Sequence, residues 1–214
     1  MLYYLPLEPY PERYTMQWSA ADTGWLERRW KQAGIQYQRI QPRGDISHHS
    51  INTGSVLDAV GRSIWCFNQV AEMLRLAEAG GVSDGDVIYF DDFWTPGMEA
   101  LPYAFHLLGI RPKMYAFLFA QSVDEFDFTY PMRQRMRPLR QGIGKCPDGI
   151  FVADPTLKDL VTMGGISNHL DVHVTGHPFC SEEVMERMPQ THREKMRGQP
   201  VNWPRANKVV FSSR

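Results

Sequence analysis

The sequence predicts an α/β fold built on a doubly wound, mainly parallel sheet. Short apolar runs alternate with longer segments of helical periodicity along most of the 214 residues, the order that repeated βαβ units produce. The run Val87–Phe90 (VIYF) contains no polar residue, as expected of a strand covered on both faces. It ends abruptly in Asp91 and Asp92, and Thr95-Pro96-Gly97 then turns the chain into an apolar helical segment returning over the sheet.

The elements follow in order. Leu2–Leu7 reads as the first buried strand. Gln17–Ala33 carries Ala21, Trp25, Leu26, Trp30 and Ala33 at helical spacing, and Gly34 closes it. Ile35–Ile40 alternates like a strand, and the polar stretch 42–54, with Gly44 and His48-His49, reads as a surface loop. Val56–Ala79 is one long helix on the apolar positions Val60, Ile64, Phe67, Val70, Met73, Leu74 and Ala77, ended by Gly80-Gly81. After the Val87 strand come a helix over Met98–Leu108 and strands at Lys113–Phe119 and Gly149–Ala153. Asp154-Pro155 opens a short helix to Met163, and Asp171–Val174 is another strand. Ser181–Met188 reads as a helix with Ser181 as its N-cap.

Composition bounds the function. A net charge of -1 provides no overall field for nucleic acid, although a local basic patch stays open. Cys66, Cys146 and Cys180 are odd in number and form no CxxC pair, which argues against a disulfide framework or a structural zinc site and for a reducing cytoplasm. No apolar stretch approaches the roughly 20 residues of a membrane span. The start, MLYYLPLEPY, lacks the basic region of a signal peptide. Residues 1–190 are expected to form one domain and 191–207 a linker. Residues 208–214 (KVVFSSR) would open a second domain not contained in this chain.

Several stretches together resemble a known family. DVIYFDDFW followed by MEALPYAFHLLGI, then GIFVADPTLKDLVTMGG, VHVTGHPF and KVVFSSR, looks like the N-terminal half of a GT-B-fold glycosyltransferase. The nearest group is the retaining, sugar-nucleotide-dependent enzymes that include glycogen synthases. The opening YYLPLEPYPERYTMQ is reminiscent of bacteriophage glycosyltransferases, some of which decorate modified bases in DNA. The chain departs from the family pattern in two places: PLEPYPERYTMQ has no glycine where a glycine-rich loop is usual, and the crossover reads Gly176-His177-Pro178.

The resemblance implies a Rossmann-like acceptor-side domain that transfers a hexose or pentose from a UDP- or GDP-sugar co-substrate. The acceptor would be a hydroxyl, with a modified DNA base as one candidate. No tightly bound cofactor, metal or membrane is expected. The donor-binding half would lie in a missing domain or a partner subunit, and the compartment would be the cytoplasm (the host's, for a phage protein). Arg214 would approach the donor phosphates.

Within that reading Asp92, with Asp91, is the candidate catalytic pair. Both lie where ligands bind in open parallel sheets, outside the carboxyl ends of strands, and a carboxylate there can orient an acceptor hydroxyl. Alternatively, either one caps the next helix or closes the turn. Trp94 is a candidate sugar- or base-stacking ring, or a core residue. Glu8, Arg13, Tyr14 and Gln17 follow the first strand and share its rim as candidate substrate contacts; an ordinary Arg–Glu surface pair fits as well. His177, after a strand, is a candidate cleft residue or a structurally satisfied histidine. His48-His49 has no partner at metal-ligand spacing.

Arg133, Arg135, Arg137 and Arg140, with Lys145, form a basic run with no acid among them. It suits phosphate or nucleic acid, or is simply a solvated face. Pro138 and Gly142 are expected to interrupt any helix there. The competing functional reading is a stand-alone Rossmann-like nucleotide- or nucleic-acid-binding module without catalysis.

Overall fold

In a computed structural model, residues 1–8, 26–42, 59–119, 129–164 and 170–176 are described, with 122, 124, 125, 127 and 166 between them. Six strands form one sheet: β1 (Leu2–Leu5), β2 (Tyr37–Arg39), β3 (Val87–Phe90), β4 (Lys113–Leu118), β5 (Gly149–Val152) and β6 (Asp171–Val174). All neighbours pair in parallel, in the order β2-β1-β3-β4-β5-β6. The helices are α1 (Glu27–Gln32), α2 (Ala59–Glu78), α3 (Leu101–Leu107), α4 (Arg133–Ile143) and α5 (Pro155–Met163). This is a Rossmann-like α/β fold, as the alternating pattern predicts. Among the described residues no helix is long and apolar enough to cross a membrane.

The two faces of the sheet are covered differently. Side chains alternate along a strand, so Tyr3, Leu5, Ile88, Phe90, Met114, Ala116, Ile150 and Val152 share one face. There they meet Val70, Met73 and Ala77 of α2, Leu101 and Phe105 of α3, Ile143 of α4 and Val161 of α5 in one core. The other face is aromatic: Tyr4 stacks on Tyr89 with ring centroids 6.0 Å apart, and Tyr89 meets Phe151 edge-on. Trp30 of α1 covers this face, reaching Tyr4, Tyr37 and Tyr89.

Three expectations change. The Met98–Leu108 segment begins as a 3-10 turn, Met98–Ala100, before α3, and Gly97 enters it at φ 93°, in the left-handed region. The α4 helix runs without a break through Pro138. Pro138 leaves the Gln134 carbonyl without its helical donor, but both residues are exposed, so water can reach that carbonyl. Met136, Leu139 and Ile143 meanwhile pack against the core and hold the helix in place.

The third change concerns α2. Val60, Ile64 and Phe67, part of its apolar periodicity, are 52–64% exposed. The buried side of those first turns carries Arg62, Trp65, Cys66 and Gln69 instead. Here the helix lies over the polar ends of strands, where donors are needed more than hydrocarbon.

Residues 177–214 lie outside the described residues. So do the expected Ser181–Met188 helix, the linker and the final strand.

Candidate functional site

The strand order reverses direction between β1 and β3. Connections leave β1 toward β2 on one side, and from β3 onward they run the other way. In open α/β sheets the crevice at such a switch point, outside the strand carboxyl ends, is where ligands bind. The segment after β1 brings Glu8 to this place, and the segment after β3 brings Asp91 and Asp92.

A single cation, Arg62 of α2, ties the two segments together. Its Nη1 donates to both oxygens of Glu8 at 2.7 Å. Its Nη2 donates to Asp92 Oδ2 and, at 2.9 Å, to the Trp94 carbonyl. Glu8 is 2% exposed and Asp92 6%. Below Arg62 on the same helix, Trp65 Nε1 and Gln69 Nε2 both donate to the Pro6 carbonyl, at 3.1 and 2.8 Å. Gln69 also reaches the Ile40 carbonyl past the end of β2. Three donor side chains spaced along α2 thus hold the exits of β1, β2 and β3.

The two aspartates are used differently. Asp91 is fully buried and accepts from the Tyr4 hydroxyl at 2.6 Å and the Leu7 N–H at 3.1 Å, joining β3 to the exit of β1. Asp92 Oδ1 accepts from the Trp94 N–H at 3.1 Å, and its carbonyl accepts from the Thr95 hydroxyl at 2.6 Å. Burial pushes the Asp92 carboxyl up to about 6; Arg62 and the Trp94 N–H pull it down, and the charges of Glu8 and Asp91 push it further up. Asp92 therefore changes charge close to neutral pH. Cys66, on the same helix face, is no nucleophile: burial pushes its thiol up to about 12.

Of the residues singled out in the sequence, Glu8, Asp91 and Asp92 come together here. The Trp94 ring is 7% exposed and packs edge-on against Phe93 at 5.0 Å, inside the core. Its backbone serves the cluster, the carbonyl accepting from Arg62 and the N–H donating to Asp92. Arg13, Tyr14, Gln17, His177 and Arg214, and the His48-His49 pair, lie outside the described residues. The arginine run lies on α4, with Arg133, Arg135 and Arg137 exposed and Arg140 half-buried.

Sequence reasoning missed Arg62, Trp65 and Gln69. Their signal was present as three donor side chains at spacings of three and four along the helix, which places them on one stripe.

No protein-family model matches the chain, and comparison with curated proteins finds no significant similarity. The fold and the residues of the crevice therefore carry the functional reading.

Proposed function

We propose that this domain is the acceptor-side half of a sugar-nucleotide-dependent, retaining glycosyltransferase. A hydroxyl acceptor binds at the carboxyl ends of β1 and β3, and Asp92 accepts a hydrogen bond from the hydroxyl that attacks the sugar. A separate domain or subunit presents the UDP- or GDP-sugar. A modified base in DNA is one candidate acceptor. The observation that carries this reading is the place of Asp92 at the switch point, beside Glu8 and bridged to it by Arg62; burial raises its carboxyl to about 6. A group there is ionised at neutral pH and still basic enough to take up a proton. Arg62 fixes its orientation against Glu8.

A second reading has its own support. Glu8 and Asp92 are 2% and 6% exposed and already engaged by Arg62, which suits a structural clamp in a binding module without catalysis.

Ligand-observed NMR on the chain separates the two. Hexoses, polyols and an oligonucleotide bearing hydroxymethylated pyrimidines, set against its unmodified counterpart, form the panel. The acceptor reading expects a hydroxyl-dependent binder whose affinity rises from pH 5 to pH 7, because the ionised carboxylate is the acceptor. Asp92→Asn should weaken it about tenfold, the effect of a hydrogen bond to a charged group. Binding indifferent to pH and to Asp92→Asn favours the clamp.

A further inference from the structure

The second concentration of charge in the molecule lies on α4. At about 100° per residue, Arg133, Arg137 and Arg140 fall on one stripe, while Arg135 points to the opposite flank. None of the four makes an ion pair among the described residues. Residues 128–147 contain no Asp or Glu. Asp124, Glu125 and Asp127 lie just ahead of this stretch, and Asp127 accepts from the Thr129 N–H and hydroxyl before α4 begins. Glu99 sits by Gly142 and Cys146, at the C-terminal end of the helix.

The arginines are held together against their own repulsion. Burial and then the charge of Arg137 lower the pKa of Arg140. Its Nη1 has only the neutral Ser122 hydroxyl at 3.3 Å, and its Nε is buried without an acceptor among the described residues. Arg133, in the first turn, opposes the helix dipole. Its guanidinium lies 4.0 Å over the Tyr130 ring, which fixes it at the surface. An arrangement unfavourable in the free protein is relieved by an anion.

We propose that the Arg133–Arg137–Arg140 stripe is a contact surface for the phosphate backbone of a polynucleotide. At about 1.5 Å rise per residue the stripe is about 10 Å long, which matches the axial span of about three phosphates of one strand at about 3.4 Å of duplex axis each. All three cations are guanidiniums, whose planar fork matches phosphate oxygens. A bilayer surface fits less well, because a membrane-bound helix needs a free apolar face. Here Met136, Leu139 and Ile143 are packed against the core. The stripe shares no residue with the Glu8–Arg62–Asp92 cluster, and its use does not depend on glycosyl transfer.

Fluorescence anisotropy of a labelled 20-base-pair duplex against the 214-residue chain, in 50–200 mM salt, tests this. Three phosphate contacts give a slope of log K on log salt near −2.7, or an affinity loss of roughly 40-fold over that range. Arg133→Glu with Arg137→Glu, and separately the milder Arg133→Gln with Arg137→Gln, should flatten the slope and weaken binding more than tenfold. Arg135→Glu should do neither. Circular dichroism melts establish that each variant folds. Four results overturn the proposal: no saturable binding at 50 mM salt; binding unchanged in both double variants; Arg135→Glu as damaging as either; or tighter binding to phosphatidylserine vesicles. Full competition by a mononucleotide at equal phosphate concentration would assign the stripe to a small phosphate ligand and equally overturn it.

Discussion

Asp92 should make folding stability depend on pH in the direction opposite to that of an ordinary ion-paired aspartate. Its carboxyl titrates at about 6 in the folded chain, against an ordinary value of 3.8. Between those values the folded state holds more protons than the unfolded state, so this group's contribution falls as pH rises through that window. An interval of about two pH units, at about 1.36 kcal/mol each, amounts to about 3 kcal/mol. With the side chain only 6% exposed, solvent screening removes little of it. Asp92→Asn preserves the shape and an acceptor for the Trp94 N–H, but cannot ionise, and Arg62 keeps its two contacts to Glu8. Urea unfolding at pH steps from 4 to 7.5, followed by tryptophan fluorescence, gives a stability curve for each protein. Groups common to both cancel in the difference. Apart from a constant offset, the variant should gain about 2.5 kcal/mol on the wild type between pH 4 and pH 7.5, the unfolded carboxyl being already partly ionised at pH 4. Parallel curves would refute the reasoning. So would a variant that loses ground as pH rises, since Arg62 would then outweigh burial and Asp92 would titrate below its ordinary value.

Two further substitutions probe the same framework. Arg62→Met strands Glu8 and Asp92 without their cation and should cost about 3–5 kcal/mol at pH 7.5, as removal of one partner from a buried pair does. Adding Asp92→Asn should restore a large part, and absence of any rescue in urea melts would mean that the charges are not coupled. Asp154, whose side chain accepts from the Leu157 N–H at 3.0 Å, caps α5. Asp154→Ala should cost about 0.5–2 kcal/mol while Asp154→Ser stays near wild type, and equal losses in thermal melts would remove the capping explanation.

The sheet was legible because its strands are local signals. VIYF, KMYAFL and GIFV are apolar runs bounded by turn residues, and each became a strand. The position of Asp91 and Asp92 at the strand exit was legible for the same reason. What the sequence did not reveal depends on tertiary context. On α2, apolar periodicity drew attention to Val60, Ile64 and Phe67, yet the sheet's polar rim selects the other side of the helix, with Arg62, Trp65 and Gln69. An arginine in an amphipathic helix looks like a surface residue until its two carboxylate partners, 54 and 30 positions away, are known. Pro138 marked a break by local rules, whereas core packing of Met136, Leu139 and Ile143 carried the helix through it. Trp94 left two readings open, a stacking ring or a core residue, and the turn that aims Asp92 at Arg62 folds the indole inward against Phe93, the core alternative.

Asp92 is proposed as the working carboxylate of the β1–β3 crevice. Carbon-detected NMR of carboxyl-labelled aspartate, titrated with and without a saturating hydroxyl acceptor, addresses that role most directly. The free protein should show a midpoint at about 6. On binding, that midpoint should fall, because a hydroxyl donating to the carboxylate favours its charged form. A midpoint near 3.8 in the free protein, or one that no bound acceptor moves, would contradict it.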